Sequence, residues 1–288
     1  MRQIVARQCV TFSFSTPFPI LQHGAHSQLL LNIEREKLMK KILLLAGILA
    51  SQTAFAHVSY TGRDFGVFDG LTDQSVTISN QTTRSHGWAD AADADWGDTH
   101  QVKWFTFSIT NQALVTISAS ALANATATSL DGLLPGFSLY EGKAPGAAYD
   151  SSAVTSAYRN TLGFDTEGAL NALGNFEIGN DAGVISKLSF VGYAADGTSN
   201  NLGNLPAVIG DGTADGFVSS SFLLNAGTYT LIIGGADYAS QNDPLSLAYN
   251  YGLSATVSVA AVPEPSTYAL MVLGLGIMGI AVRSHITR

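Results

Sequence analysis

Between His57 and Ala261 no stretch repeats its apolar residues at helical spacing, and short runs with a two-residue period recur instead. The clearest places Tyr249, Tyr251, Leu253, Ala255, Val257 and Val259 at every second position, with Asn250, Gly252, Ser254, Thr256 and Ser258 between them. Successive side chains of a strand point to opposite faces, so this is the pattern of a half-buried strand with one wet side. Similar runs cover 75–79, 102–109, 114–119, 136–140, 187–193, 217–224 and 228–234, and Gly, Asn, Asp and Ser crowd the intervals, as turns require. Leu224 to Tyr229 reads as a hairpin turn joining two of these runs. Parallel sheets need crossovers, usually helical, so strands without helices predict antiparallel sheets. The expected fold is all-β, an antiparallel β-sandwich of jelly-roll type, in one domain over 57–261. Residues 151–183 are poorly patterned and are expected to form a long excursion.

Both ends of the chain are apolar and punctuated. At the C-terminus, Val262-Pro263-Glu264-Pro265 precedes an uncharged run over 268–282, and Arg283 and Arg288 follow it. A helix of 15 residues spans about 22 Å, less than the roughly 30 Å hydrocarbon core, so it would cross a bilayer only by thinning it or by snorkelling its flanks. The expectation is a single transmembrane helix over 268–282 with the arginines in the cytoplasm and Glu264 outside. Near the other end, Lys40-Lys41, an apolar stretch from Ile42 to Ala50 and the A-x-A sequence Ala54-Phe55-Ala56 make up a Sec signal peptide over 39–56. Cleavage after Ala56 would make His57 the first mature residue. Signal peptides begin at the initiator, so Met39 is the expected start and residues 1–38 a wrongly assigned extension.

The order Pro-Glu-Pro, apolar helix, basic end closely resembles the PEP-CTERM sorting signal, over 262–288. Members carry a tight arginine cluster, whereas here Arg283 and Arg288 are split by Ser284 to Thr287. In that family an exosortase, a membrane cysteine transpeptidase, processes the protein near the motif, in Gram-negative bacteria that make extracellular polysaccharide. The resemblance implies export across the inner membrane by the Sec translocon and signal peptidase, transient anchoring there, then delivery by the exosortase to the cell surface or extracellular matrix. The runs at 104–109, 136–140 and 227–235 also resemble strands of bacterial pre-peptidase C-terminal-like sandwiches, a likeness of fold that implies an accessory module without catalysis.

From His57 to Glu264 there are 6 basic and 20 acidic residues, a formal charge near −14 where the whole chain carries −8. Such a span binds neither nucleic acid nor anionic lipid through a positive patch, and attracts cations instead. The single cysteine, Cys9, lies in the extension, so the mature span has no disulfide. Closely spaced aspartates at Asp90, Asp93, Asp95 and Asp98, and at Asp211 and Asp215 in Asp-Gly-Thr-Ala-Asp-Gly, could supply oxygen ligands to a structural Ca²⁺, though neither completes an EF-hand loop. Apart from this calcium and the copper of the alternative given below, no cofactor is indicated.

Trp88 and Trp96, in the polar loop with the first aspartates, are candidates to stack on sugar rings, while Trp104 belongs to an alternating strand and reads as core. A mature N-terminal His57 with His86 or His100 would resemble the copper brace of lytic polysaccharide monooxygenases. The Gly-x-Ser-x-Gly, His-Glu-x-x-His and phosphate-loop signatures are missing, and Glu141, Glu167, Glu177 and Glu264 are the only glutamates in the exported span. The sequence therefore reads as a non-enzymatic surface or matrix protein, structural or adhesive in biofilm, floc or exopolysaccharide. The alternative is a secreted enzyme on matrix polysaccharide, either copper-dependent through His57 or a hydrolase.

Overall fold

The computed structural model describes residues 58–89, 96–149, 170–203, 208–238, 249–262 and 270–278. Twelve strands run through them: β1 Asp64–Phe68, β2 Gln74–Thr83, β3 Trp96–Gly97, β4 Lys103–Ile109, β5 Ala113–Ala121 and β6 Pro135–Glu141. Then come β7 Leu170–Asn171, β8 Phe176–Gly179, β9 Ile185–Ala195, β10 Phe217–Leu224, β11 Gly227–Gly235 and β12 Tyr251–Ala261. Six strands form one sheet in the order β1-β4-β11-β6-β9-β8, four form a second in the order β10-β5-β12-β2, and β3 pairs with β7.

The two-residue period is what makes the layers stick. On β12, Leu253, Ala255, Val257 and Val259 are buried while Ser254, Thr256 and Ser258 stay partly in water. Val115, Ile117 and Val218 join them from the same sheet, facing Phe105, Phe107, Phe137, Leu139, Leu231 and Ile233 of the six-stranded sheet in one continuous core. The chain is thus a β-sandwich between these two sheets. Each fully buried large apolar side chain contributes about 1.5–3 kcal/mol. Aromatic pairs add geometry: Phe107 stacks on Tyr229 at 5.4 Å between centroids.

The six-stranded sheet is covered on its other side as well. Trp104, Tyr140, Ile232 and Leu188 point away from the sandwich core and pack with Phe176, Ile178 and Leu170. Burial on both faces explains why β4 and β6 carry runs such as Trp104-Phe105-Thr106-Phe107 in place of polar alternation. A third cluster gathers Trp88, Ala172, Ala195, Leu202, Val208, Ala236 and Tyr238.

The sequence expectation needs correction at four points. The layers hold six and four strands, unlike an eight-stranded jelly roll. One pair is parallel: β1 lies beside β4 with Val67 opposite Ser108. Between them the chain passes through β2 in the opposite sheet, so that layer serves as the crossover and no helix is needed. Leu224 to Tyr229 is not a hairpin, because β10 pairs with β5 while β11 pairs with β4 and β6 in the other sheet. Asn225 and Ala226 carry the chain from one layer to the next, and the Tyr229 hydroxyl fastens that corner by donating to the Asn225 carbonyl at 2.8 Å. Lastly, the second half of the expected excursion is ordered as β7 and β8, the latter an edge strand paired with β9.

Residues 1–57, with the extension and signal peptide read there, lie outside the described residues, as does part of the 268–282 run. Residues 270–278 of that run are helical with exposed apolar side chains. Among the described residues no helix is long and apolar enough to cross a membrane.

Candidate functional site

Ala54, Ala56, His57, Asp90, Asp93, Asp95, Pro263, Glu264 and Pro265 lie outside the described residues, and Val262 is exposed at the end of β12. The two tryptophans expected to meet sugar are inside the protein: Trp88 is 0% and Trp96 4% exposed. Trp88 lies against Gly136 so closely that a Cβ there would sit 2.5 Å from ring atoms. Its indole N–H donates to Ser138 Oγ at 2.9 Å, and Tyr193 packs on the ring at 5.7 Å. Trp96 is held by the pairing of β3 with β7. Neither ring offers a face to a ligand, and the polar letters around them gave no sign of which side chain turns inward.

A copper brace would need His57, which lies outside the described residues. His86 is buried with Nδ1 3.3 Å from Ser85 Oγ, and His100 lies at the surface with Nδ1 3.1 Å from Asp98 Oδ1. Among the described residues no three His, Cys, Asp or Glu side chains are grouped to hold a metal ion.

The described aspartates act instead on their own backbone. Asp98 Oδ1 accepts the His100 N–H at 2.8 Å. Asp211 Oδ1 accepts from the Thr213 N–H at 3.0 Å and from the Gly197 N–H at 3.3 Å, and Asp215 Oδ1 accepts the Phe217 N–H at 3.1 Å. The sequence reading missed their central partner, Asp196 at the end of β9, which is fully buried. Its two oxygens accept the N–H groups of Asp215 at 3.2 Å and Gly216 at 2.7 Å, pinning the 211–216 loop to the strand. Burial pushes the Asp196 pKa up to about 6, the charges of Asp211 and Asp215 push the same way, and the two N–H bonds oppose them.

The outward face of the four-stranded sheet has a different chemistry. Its strands β2, β5, β10 and β12 contain no charged residue, and their outward positions are mostly Ser and Thr. The register sets Ser75, Ser258, Thr116 and Ser221 in one row and Thr77, Thr256, Ser118 and Ser219 in the next. Ser75 and Ser258 share a hydrogen bond at 2.8 Å, Thr77 and Thr256 at 2.8 Å, and Thr116 and Ser221 at 2.7 Å. Beside the first row opens a groove of about 340 Å³, bounded by Asp73, Gln74 and Ala260. The alternating hydroxyls were visible in sequence, but their alignment into rows depends on register.

The sandwich is similar to solved structures of low identity. One is CorA, a surface-associated copper-binding protein important in copper acquisition in Methylomicrobium album BG8, at 17% identity and a TM-score of 0.45, covering 70% of this chain and 98% of that one. Another is MopE, a secreted protein of Methylococcus capsulatus in which an oxidized tryptophan facilitates copper binding, at 15% identity and a TM-score of 0.38, covering 69% of this chain and 87% of that one. No curated protein matches the sequence. Residues 261–285 match the PEP-CTERM protein-sorting motif, which marks the chain as an exported protein sorted by exosortase.

Proposed function

We propose that the protein is a non-enzymatic component of the cell surface or extracellular matrix, structural or adhesive in biofilm, floc or exopolysaccharide, and released from a transient membrane anchor by exosortase. The observation that carries this reading is the junction of fold and motif. β12 ends at Ala261, and the sorting motif begins at that residue. Among the described residues, processing near Pro263 to Pro265 therefore removes no strand and no core side chain, and the sandwich from β1 to β12 is left to act outside the cell. A protein whose tail contributed to the core would lose stability on processing.

The test is fractionation of an exosortase-bearing Gram-negative host that expresses the chain with a tag after the signal peptide. The wild type should reach the surface or medium in a shortened form, while Pro263→Ala with Pro265→Ala, or loss of the exosortase, should hold the full-length form in the inner membrane. Identical size and location in all three strains would overturn the proposal.

A further inference from the structure

The outward face of the four-stranded sheet has features that a merely solvated surface does not need. Neighbouring strands lie about 4.8 Å apart and alternate residues about 6.8 Å apart, so four strands and three rows make a field about 14 Å by about 14 Å, with hydroxyls at every position except the third on β10, where Phe217 is exposed. The third row adds Ser79, Ser254 and Ser120, with Ser79 and Ser254 sharing a hydrogen bond at 3.2 Å. Each bonded pair of hydroxyls uses one of its two hydrogens internally, so one donor and several lone pairs per pair remain for an outside partner. The same internal bonds fix the rotors, and an array held in advance loses little entropy on binding.

Charge and size narrow the occupant. The field is uncharged within a span of formal charge near −14, so an anionic polymer would be repelled by the surrounding domain, and a cationic one would find a single carboxylate, Asp73 at the rim, to pair with. A second copy of the chain is disfavoured by area, since a stable protein interface buries about 800 Å² per partner, several times this field. A neutral polysaccharide meets both conditions, because its hydroxyls are donors and acceptors of the same kind. The groove gives it a seat: about 340 Å³ lies within the range of small-ligand sites. Ala260, exposed next to the first row, presents carbon to the C–H face of a sugar ring, and the Asp73 carboxylate at the rim can accept a sugar O–H.

We propose that this hydroxyl face, entered through the groove beside Asp73, binds an uncharged polysaccharide. The inference rests on the reading of the protein as a matrix component and adds the surface and the charge class of the polymer. The experiment is affinity electrophoresis of the exported, processed protein through gels containing hydroxyethyl cellulose, dextran or alginate.

At least one of the two neutral polymers should retard the wild type and alginate should not. Thr256→Lys and Ser258→Lys should each weaken retardation at least tenfold, and Ser189→Lys, the same charge change on exposed β9, should leave it intact. Thr256→Ser keeps the hydroxyl and should retain binding, and thermal unfolding of every variant shows whether the sandwich is intact. The proposal is overturned by retardation in neither neutral gel, by retardation in alginate alone, or by equal loss in Ser189→Lys. The two readings fail separately: an exported and processed protein that ignores both neutral polymers sinks only this inference, whereas failure to be sorted sinks the function proposed above.

Discussion

The indole N–H of Trp88 donates to the hydroxyl of Ser138 at 2.9 Å, and that hydroxyl in turn donates to the carbonyl of Ala172 at 2.6 Å. The three residues belong to a loop before β3, to central strand β6 and to the segment after β7, and all the bonded groups are buried. One hydroxyl therefore ties two excursions to the sheet. Ser138→Ala should orphan the indole N–H and the carbonyl together. An unsatisfied buried polar group costs about 1–3 kcal/mol, so the unfolding free energy from urea titration should fall by an amount in or above that range. A midpoint within error of the wild type would show that the hydroxyl is replaceable.

Gly136 is the floor on which Trp88 rests, with a Cβ built there lying 2.5 Å from two ring atoms. Gly136→Ala should force the indole off its seat and destabilise the protein by about 1–3 kcal/mol or more, the usual cost of overpacking a tight core. Trp88→Leu alone should be destabilising through the void it leaves. The double variant should cost less than the sum of the two, because the smaller side chain makes room for the methyl. Strict additivity in denaturant unfolding would rule out this contact as the cause.

Asp196 makes stability depend on pH in an unusual direction for an aspartate. Its folded pKa, raised to about 6 by burial, exceeds the value of about 3.9 in an unfolded chain. The folded state then binds the proton more tightly, so this group's contribution is fully present below about pH 3.9 and is lost as pH rises through about 6. Acidification from neutrality towards pH 4 should raise the urea midpoint. Asp196→Asn should flatten that rise, whatever general relief of acidic repulsion remains in both proteins. Equal slopes for the two would exclude Asp196 as the source.

The legible and illegible parts of this chain divide along the range of the interactions involved. Leu253 to Val259 could be read because one face of β12 is wet and the other dry, a contrast written into adjacent letters. Trp88 could not, since the glycine that admits it lies across the sheet and its own neighbours are polar. The turn at Asn225 and Ala226 has the same composition whether it closes a hairpin or crosses between layers, because both strands it joins send apolar side chains into one core. Asp196 stayed hidden for a similar reason: its partners at 215 and 216 come from a distant loop, and nothing beside it in sequence announces burial. The sorting motif was legible from end to end, being a signal that other proteins read in linear order.

Calcium should leave the 211–216 loop unchanged, although its sequence resembles half of a calcium site. Asp211 Oδ1 already holds the N–H groups of Thr213 and Gly197, Asp215 Oδ1 holds that of Phe217, and the two oxygens of Asp196 hold those of Asp215 and Gly216. A divalent ion needs several ionised oxygens converging on one point, and among the described residues no three His, Cys, Asp or Glu side chains are grouped to hold one. Asp211→Asn should lower the thermal midpoint modestly, by loosening the loop, and by the same amount with calcium as with a chelator. A calcium-induced rise in the wild-type midpoint that disappears in Asp211→Asn would place an ion in this loop and defeat the backbone-fastening account. A rise that persists in that variant would direct attention to Asp90, Asp93 and Asp95.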